Sequence, residues 1–393
     1  MMNAVLSNPD HPEYGVATIP FPIPHDQYAH CMELLEALEI GDAVKTDCKV
    51  EKIDSFYTVL KRAEMLTVNV EELNYLAKRL ESFDTGEAAQ FQAMAHKLEL
   101  FELKDFINLT FCCQQATVIT DFSDLAAVGR DHYMNLHGGS ASVDELNKLD
   151  GEETARRLIE NGSGTITPYG VVYDNGMKLE QVYDGRFFPC YYYEPNVITV
   201  AVTSKAEPED NEHITWLYLP MVQEEIDRAL LRGGITDPAD VRLRLEDSQL
   251  PNEVDILLDM ECETLSDLNE LAAATDGLSK ADMEKLDAVV TPAEPKSAAQ
   301  IKKLAENLNL FDFAPGAHTP EEYGKYMIQQ SGRFEYDENL SEYYDYEKYG
   351  FQRMDEEDGM FTDRGYIAYN GYFSMEEVME GRHSHHMEMG GLS

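Results

Sequence analysis

The sequence has few basic residues. It contains 31 lysines and arginines against 74 aspartates and glutamates in 393 residues, which gives a formal net charge of −43. This shortage of positive charge argues against a protein that binds nucleic acid by neutralising phosphates with lysine and arginine. Cysteine is also scarce, and the six cysteines show neither paired CxxC spacing nor the density of a disulfide scaffold. We therefore expect a reducing environment.

Long apolar runs and known catalytic motifs are absent from the sequence. Residues 1–24 have no basic stretch followed by an apolar run, and no later stretch approaches eighteen uninterrupted apolar residues. We therefore expect a cytoplasmic protein with no membrane partner. Without a glycine-rich phosphate loop, a G-x-S-x-G element or an HExxH element, we expect no enzymatic activity and no cofactor.

Two stretches contain side chains of the types that bind metal ions. The run from Asp355 to Gly365 has Glu at its third position and Gly at its fifth, whereas a calcium loop needs an oxygen ligand at five and Gly at six. A second cluster, of histidines 383, 385 and 386, lies in a glycine-ended C-terminal stretch, which we expect to be a disordered tail. We therefore predict no specific metal site.

The residues that are abundant indicate a folded, acidic protein. Hydrophobic residues make up 43% of the chain, with 22 tyrosines and 16 phenylalanines, which is not the composition of a disordered acidic chain. Its net charge matches that of roughly 70 Å of DNA duplex. A field of this strength attracts positively charged partners. Basic clefts are therefore the expected partners, and no direct binding of nucleic acid is expected.

The sequence repeats itself at an offset of 195 residues. The element Glu72-Leu73-Asn74 corresponds to Asp267-Leu268-Asn269. At the same offset, pairs of turn-forming residues recur: Gly129 with Gly324, Gly164 with Gly359, Thr167 with Thr362, Gly170 with Gly365, and Gly176 with Gly371. Near the start of each copy, Pro24 is paired with Pro220 at an offset of 196. The pattern predicts two copies of one unit, joined by the polar segment 203–212.

The predicted fold class is α+β, as an elongated tandem repeat of two similar units with small α+β and helical subdomains and short antiparallel sheets. Each unit is divided into three parts, and a tail follows the second unit. The predicted boundaries are 1–66, 67–138 and 139–205 for unit 1, 206–262, 263–330 and 331–380 for unit 2, and 381–393 for the tail.

Several local structures are predicted within these parts. Asn69 is expected to begin a helix that continues to Leu80, and Ser266 is expected to begin the corresponding helix in the second copy. In the third part of the first copy we expect strands at 165–173, 178–183 and 189–202, separated by Asp-Asn-Gly and Asp-Gly turns. Apolar residues at helical spacing place the first helix near residues 28–38.

The second copy carries more negative charge than the first. Residues 1–195 sum to −17 and residues 196–393 to −26. An acidic segment rich in tyrosine lies between residues 333 and 358, and we predict that its carboxylates bind a partner. They are Glu335, Asp337, Glu338, Glu342, Asp345, Glu347, Asp355, Glu356, Glu357 and Asp358.

Tyrosines are interleaved with these carboxylates. Tyrosine rings can pack on an apolar layer while their hydroxyls remain in water, so they can hold neighbouring carboxylates at fixed spacing. The predicted scaffold consists of Tyr343, Tyr344, Tyr346, Tyr349 and Gly350. The alternative interpretation is a solvated helix face that serves only solubility.

The second copy resembles the ArdA family of antirestriction proteins. The resemblance depends on Leu268-Asn269-x-Leu271, on Tyr323-Gly324-Lys325-Tyr326, and above all on the stretch from Tyr343 to Gly350. That stretch is similar to the family element Tyr-x-Asp-Tyr-x-x-Tyr-Gly, and Phe361-Thr362-x-x-Gly365 follows it in the family's order. The first copy is similar only through Glu72-Leu73-Asn74 and the glycine frame.

The resemblance implies a DNA mimic that occupies the DNA-binding cleft of type I restriction–modification enzymes and so helps a mobile genetic element to evade host defence. It also implies an elongated, curved α+β protein. Family members are single units that form dimers, so two tandem units could form a pseudo-dimer within one chain, or the chain could form a homodimer. Acidic residues of the first helix, Glu33, Glu36 and Glu39, could extend the mimic.

At the level of sequence, the negative charge is also compatible with two different roles. An acidic adaptor or chaperone could sequester other basic DNA-binding proteins. Adaptation to high salt could also favour a negative surface.

Overall fold

The computed structural model describes residues 2–206, 208 and 212–381. Its fold is α+β, as predicted, with helices and several small antiparallel sheets. The chain divides into two compact units. One comprises the chain up to Glu194, a short stretch that ends at Thr215, and Val222–Thr236. The other comprises the stretch beginning at Pro195, Trp216–Met221 and the chain from Asp237 onward.

The first unit opens with an antiparallel sheet of strand order β2-β1-β3-β4 and one helix. The elements are β1 (Met2–Ser7), β2 (Val16–Phe21), α1 (Tyr28–Glu36), β3 (Cys48–Ser55) and β4 (Thr67–Val68). Alternate strand residues such as Ala4, Leu6 and Ile19 are fully buried, which places one face of the sheet in the core. The predicted first helix is confirmed, but it ends at Glu36.

Helices form the middle of the first unit. They are α2 (Val70–Glu81), α3 (Thr85–Lys97) and α4 (Leu103–Leu109). Asn69 begins α2 as predicted, because its side chain accepts hydrogen bonds from the backbone amides of Glu71 and Glu72. Cys112 and Cys113 are buried beside these helices, and burial raises the pKa of the Cys113 thiol well above its ordinary value. The two thiols are core residues.

A second sheet of the first unit has the order β5-β7-β6, with helices packed beside it. The elements are β5 (Thr117–Ile119), α5 (Leu125–Leu136), α6 (Val143–Lys148), α7 (Gly151–Asn161), β6 (Thr165–Thr167) and β7 (Gly170–Tyr173). Two glycines let α5 and α7 approach closely. A Cβ atom on Gly129 would lie 1.8 Å from the carbonyl oxygen of Gly151.

The last helix of the first unit, α8 (Gln223–Arg232), follows the second copy's first strand in sequence. Its Arg232 is only 6% exposed and donates to the carbonyl oxygen of Ala43 (2.8 Å), to Asn69 Oδ1 (3.0 Å) and to the hydroxyl of Tyr183. That hydroxyl in turn donates to Glu72, and burial raises the pKa of this carboxyl. Polar contacts therefore bind α8 into the first unit.

The second unit begins with a sheet of order β10-β8-β9, followed by helices. The elements are β8 (Ile198–Ser204), β9 (Thr215–Leu219), β10 (Val241–Ser248), α9 (Asn252–Leu257), α10 (Leu265–Thr275), α11 (Lys280–Ala293) and α12 (Ala298–Glu306). Apolar residues at helical spacing on α12, including Ile301 and Leu304, are fully buried.

The second unit ends with a sheet of order β11-β13-β12 and the helices packed beside it. The elements are β11 (Phe311–Pro315), α13 (Pro320–Gln329), α14 (Tyr346–Glu356), β12 (Gly359–Thr362), β13 (Gly365–Tyr369) and α15 (Met375–Met379). The core of this part contains Ala314, Tyr323, Met327 and Tyr366, all at most 4% exposed.

Several structural details recur in the two halves at the offset of 195. The sheets β5-β7-β6 and β11-β13-β12 have the same strand order. Thr167 Oγ1 donates to the carbonyl oxygen of Gly170 at 2.8 Å, and Thr362 Oγ1 donates to that of Gly365 at 2.9 Å. These glycines have φ of 127° and 139°, a conformation that favours glycine. The turn that the sequence pattern marked is therefore the same in both halves.

The predicted pairing of Pro24 with Pro220 between the two copies is wrong, as the hydrogen bonds of two backbone N–H groups show. Asn74 Oδ1 accepts from the backbone N–H of Ile23 at 2.8 Å, and Asn269 Oδ1 accepts from that of Met221 at 2.8 Å. Ile23 therefore corresponds to Met221, and the partner of Pro220 is Pro22, not Pro24. The offset is not constant here because the connection between the first strand and the helical part differs in length.

Other local predictions are wrong. Residues 178–183 form no strand, because the amide of Tyr183 donates to Asn108 Oδ1 at 2.7 Å instead of to a neighbouring strand. In the stretch 189–202, a strand begins only at Ile198. The N-cap of α10 is Thr264, whose side chain accepts from the amide of Asp267, and not Ser266.

Further predictions touch residues outside the described part of the chain. The C-terminal stretch 382–393, with its three histidines, lies outside it, as does part of the predicted linker 203–212. Within the described residues, no group of three or more His, Cys, Asp and Glu side chains is placed to hold a metal ion. None of the helices in the described ranges has both the length and the apolar character needed to cross a membrane.

Candidate partner-binding surface

The acidic, tyrosine-rich segment connects α13 to β12 in the second unit. It contains a 3-10 turn, Glu338–Tyr343, and the helix α14. Asp337 and Asp345 precede these two elements, and their side chains accept from the backbone amides of Asn339 and Lys348. A carboxylate at such a position satisfies free amides and opposes the helix dipole. Two of the segment's acids therefore also fix its backbone.

Two glycines allow α14 to pack directly against α13. A Cβ atom on Gly324 would lie 2.0 Å from the carbonyl oxygen of Tyr346, and one on Gly350 would lie 1.8 Å from that of Pro320. Any larger side chain at either position would push the helices apart. The predicted scaffold residue Gly350 therefore holds α14 at backbone contact with its neighbour.

Aromatic rings form a layer beneath the segment. Tyr349 packs against the core of this part, with the ring of Phe334 edge-on at 6.0 Å. The rings of Tyr344 and Tyr346 lie 5.8 Å apart. Gln329 Nε2 lies 2.8 Å from the hydroxyl of Tyr346, to which it donates. Tyr346 and Tyr349 thus contact residues outside the segment, whereas the ring partners of Tyr344 belong to the segment itself.

Tyr343 differs from the other predicted scaffold tyrosines. Its side chain is 83% exposed, so its ring does not pack into the layer below. The sequence pattern did not distinguish it from its neighbour Tyr344, which is half-buried. Tyr343 is the last residue of the 3-10 turn, in which no residue is buried.

Nine of the ten carboxylates predicted to bind a partner are exposed. They are Glu335, Asp337, Glu338, Glu342, Asp345, Glu347, Asp355, Glu356 and Asp358. Of these, Glu356 lies 3.3 Å from Arg353 Nη1. The other eight form no ion pair with any of the residues that the structure describes. Their charge is therefore not neutralised by an ion pair with the described residues and is available to a partner.

Glu357 is the exception among the ten. Its side chain is only 7% exposed and is paired with Arg353. It also accepts a hydrogen bond from the hydroxyl of Tyr323, whose pKa burial raises to about 12. Glu357 therefore connects the end of α14 to the core, and the displayed set is the other nine.

The three acids of the first helix are less regular than their spacing suggested. Glu33 and Glu36 are exposed on α1, but Glu39 lies beyond the helix end with φ of 56°. The helical spacing assumed in the sequence therefore does not extend to Glu39.

Sequence reasoning missed one exposed residue of the surface, Phe351. It is 52% exposed on α14, one helical turn from Glu347 on one side and from Asp355 on the other. A phenylalanine in a helix is ordinarily assigned to the core. Only the helix orientation, set by Gly324 and Gly350, shows that it faces solvent.

Together, the fold and this surface define an α+β protein that displays unpaired carboxylates on a helix and turn fixed by glycine and tyrosine. Comparison with protein families gives a more specific assignment. Residues 211–368 match the family described as antirestriction protein (ArdA), so this segment is similar to that family. The match spans less than half of the chain and includes the whole acidic segment. A search among curated proteins gave no match.

Proposed function

We propose that the protein is an antirestriction DNA mimic, which binds in the DNA-binding cleft of type I restriction–modification enzymes and blocks access of DNA. One observation carries the proposal: within the ArdA segment, eight exposed carboxylates have no ion-pair partner among the described residues. Lysine and arginine side chains that neutralise phosphates would bind these carboxylates instead. No covalent bond is made or broken, so no catalytic residue is required.

The electrostatics of such a complex predict how it responds to salt. Each ion pair formed with the cleft releases counterions, as when a cationic protein binds DNA. Inhibition should therefore be strong at low salt and weaken as salt rises. An acidic adaptor that sequesters other basic proteins would show a similar salt response. Competition with DNA for one particular enzyme distinguishes the two functions.

The proposal is tested with a purified type I restriction enzyme and a duplex containing its recognition site. We expect the protein to inhibit cleavage and to be displaced from the enzyme by excess duplex. Simultaneous binding of duplex and protein to the enzyme would contradict the proposed mechanism. Methylation is measured in parallel to determine whether both activities are blocked.

A block variant tests the acidic segment itself. Asp355→Asn, Glu356→Gln and Asp358→Asn together remove three charges and leave the buried Glu357 in place. Because binding energy is spread over many screened contacts, each worth at most about 1 kcal/mol, we expect a combined loss of affinity of about tenfold or more.

The matched control removes three exposed charges of the first half that form no ion pair with the described residues: Asp54→Asn, Glu99→Gln and Glu160→Gln. It changes net charge equally, so a smaller effect assigns the contact to the second-half segment. Equal effects of the two variants would indicate that total charge, not this surface, determines inhibition.

A further inference from the structure

The helices α7 and α14 occupy equivalent places in the two halves, which allows a comparison residue by residue. Each helix has eleven residues, and the two begin 195 residues apart. Asp150 caps α7 and Asp345 caps α14, and each accepts from the backbone amide three residues later. Each helix also packs against a partner helix through a glycine, Gly129 or Gly324. The equivalence therefore extends to individual side chains.

The acids at equivalent positions of the two helices differ in their ion pairs. On α7, Arg156 pairs with Glu152 at 2.6 Å and Arg157 pairs with Glu153 at 2.9 Å. On α14, the position that corresponds to Arg156 is Phe351, and the position of Glu152 is Glu347. Glu347 consequently lacks the ion pair that its counterpart has among the described residues. The replacement of arginine by phenylalanine leaves this carboxylate unpaired and exposes an aromatic ring.

The fold does not require an aromatic residue at this position. In the first half the same position holds Arg156, whose side chain is 57% exposed, so the site is a surface site in both halves. Phe351 itself is not among the residues of the core cluster around Tyr323 and Tyr366, and it is 52% exposed. A single exposed phenylalanine is ordinary. Here, however, it stands between two exposed carboxylates, Glu347 and Asp355, on one helix face.

We propose that Phe351 is an apolar anchor in the surface that binds the restriction enzyme, flanked by Glu347 and Asp355. The proposal rests on the proposed function. A cleft that binds duplex contains cations for phosphates and apolar surface for thymine methyl groups. The two carboxylates can pair with the cations of the cleft. The phenyl ring, one helical turn from each carboxylate, can pack on its apolar surface. Aromatic residues in a polar surround commonly contribute much of the binding energy of an interface.

The anchor and the carboxylates should respond differently to salt, and this difference provides the test. The affinity of each variant for a purified type I restriction enzyme is measured across a range of salt concentrations. For Phe351→Ala, we expect about tenfold weaker binding at every salt concentration, with an unchanged slope of log affinity against log salt. For Glu347→Gln with Asp355→Asn, we expect a shallower slope.

Two further variants separate binding from folding. Phe351→Leu keeps an apolar side chain and should retain most of the affinity. Phe351→Arg recreates the pair seen in the first half and should weaken binding more than Phe351→Ala, because it also neutralises Glu347. In the equivalent position, Arg156→Ala should leave binding within about twofold of the wild type, as expected outside an anchor position. Circular dichroism and thermal unfolding confirm that the fold is retained.

The outcomes distinguish failure of the anchor from failure of the proposed function. If Phe351→Ala binds like the wild type while the double acid variant is weakened, the anchor is disproved and the proposed function stands. A Phe351→Ala variant that changes the salt slope, or an Arg156→Ala variant that loses as much affinity, also overturns the anchor. If wild-type protein and duplex bind the enzyme simultaneously, the proposed mechanism fails, and the anchor proposal fails with it.

Discussion

Glu357 and Asp358 are neighbours in sequence, but their side chains have opposite environments. Asp358 is exposed, whereas the carboxylate of Glu357 is 7% exposed and is bound to Arg353 and to the hydroxyl of Tyr323. Sequence reasoning placed both in the displayed set, since charge and spacing are all that the sequence shows. At the scale of single residues, the same side-chain type therefore serves folding at one position and is free to serve binding at the next.

Substitution of these two acids should separate stability from binding. Glu357→Gln weakens the contact with Arg353, so we expect the free energy of unfolding to fall by about 1–3 kcal/mol. Asp358→Asn changes an exposed, unpaired group and should alter stability by no more than about 0.5 kcal/mol. Urea unfolding of both variants measures the difference. Equal stability of the two variants would contradict the structural role of Glu357.

Two tyrosines of the segment provide a second residue-scale prediction. Tyr349→Ala removes a ring that packs against the core and against Phe334, so we expect stability to fall by about 2 kcal/mol. Tyr343→Ala removes an 83% exposed ring and should change stability by no more than about 0.5 kcal/mol. Thermal unfolding compares the two. A loss of stability in Tyr343→Ala as large as in Tyr349→Ala would show that the ring is packed.

Among the elements, the glycine contacts between helices determine which residues the acidic segment exposes. Gly324 and Gly350 place the backbones of α13 and α14 in contact, and this fixes the rotation of α14. Once that rotation is set, Glu347, Phe351 and Asp355 face solvent while Met354 packs against the core. The binding surface thus depends on two residues that carry no functional group.

Adding one methyl group at Gly324 tests this dependence. In Gly324→Ala the new Cβ would lie 2.0 Å from a backbone oxygen, so the helices must separate, and we expect a loss of about 1–3 kcal/mol or more in stability. Inhibition should also fall, because α14 is displaced. The control is Gly86→Ala in the first turn of α3, where the nearest atom is a side-chain oxygen at 3.2 Å. Helix propensity there favours alanine by up to about 1 kcal/mol. A neutral Gly324→Ala would contradict the close contact.

For the molecule as a whole, the compact units differ from the repeats that the sequence predicts. The helix α8 lies after the repeat boundary but belongs to the first compact unit, where Arg232 is buried among carbonyl oxygens and Asn69. A fragment that ends at residue 205 lacks this helix, whereas one that ends at 236 retains it. We expect the longer fragment to melt more than about 5 °C higher. Calorimetry or circular dichroism measures both fragments, and equal melting temperatures would show that the first unit does not need α8.

The recurrent caps, turns and sheet order support the hypothesis that the chain arose by duplication of one unit. If the two units reproduce a dimer within one chain, the protein should be a monomer of 44.5 kDa in solution. Light scattering at micromolar concentration measures the mass. Twice that value would count against the internal dimer and favour a homodimer.

The sequence by itself determined the α+β class, the ArdA resemblance of the second copy and several local structures. Asn69 at the start of α2, the Thr-x-x-Gly turns and the buried stripe of α1 depend on short-range chemistry: a cap, a glycine at positive φ and helical spacing. Such features were predictable because every atom involved lies within a few residues. The ArdA resemblance was likewise carried by a contiguous element from Tyr343 to Gly350.

Only the tertiary structure decided which of the charged and aromatic residues face solvent. Residues 178–183 form no strand because a distant amide, Asn108, takes the backbone hydrogen bond. Glu357 is buried because Arg353 and Tyr323 meet it, and Phe351 is exposed because two glycines set the rotation of its helix. Each of these outcomes depends on partners remote in sequence, whose approach is decided by packing and not by local preference.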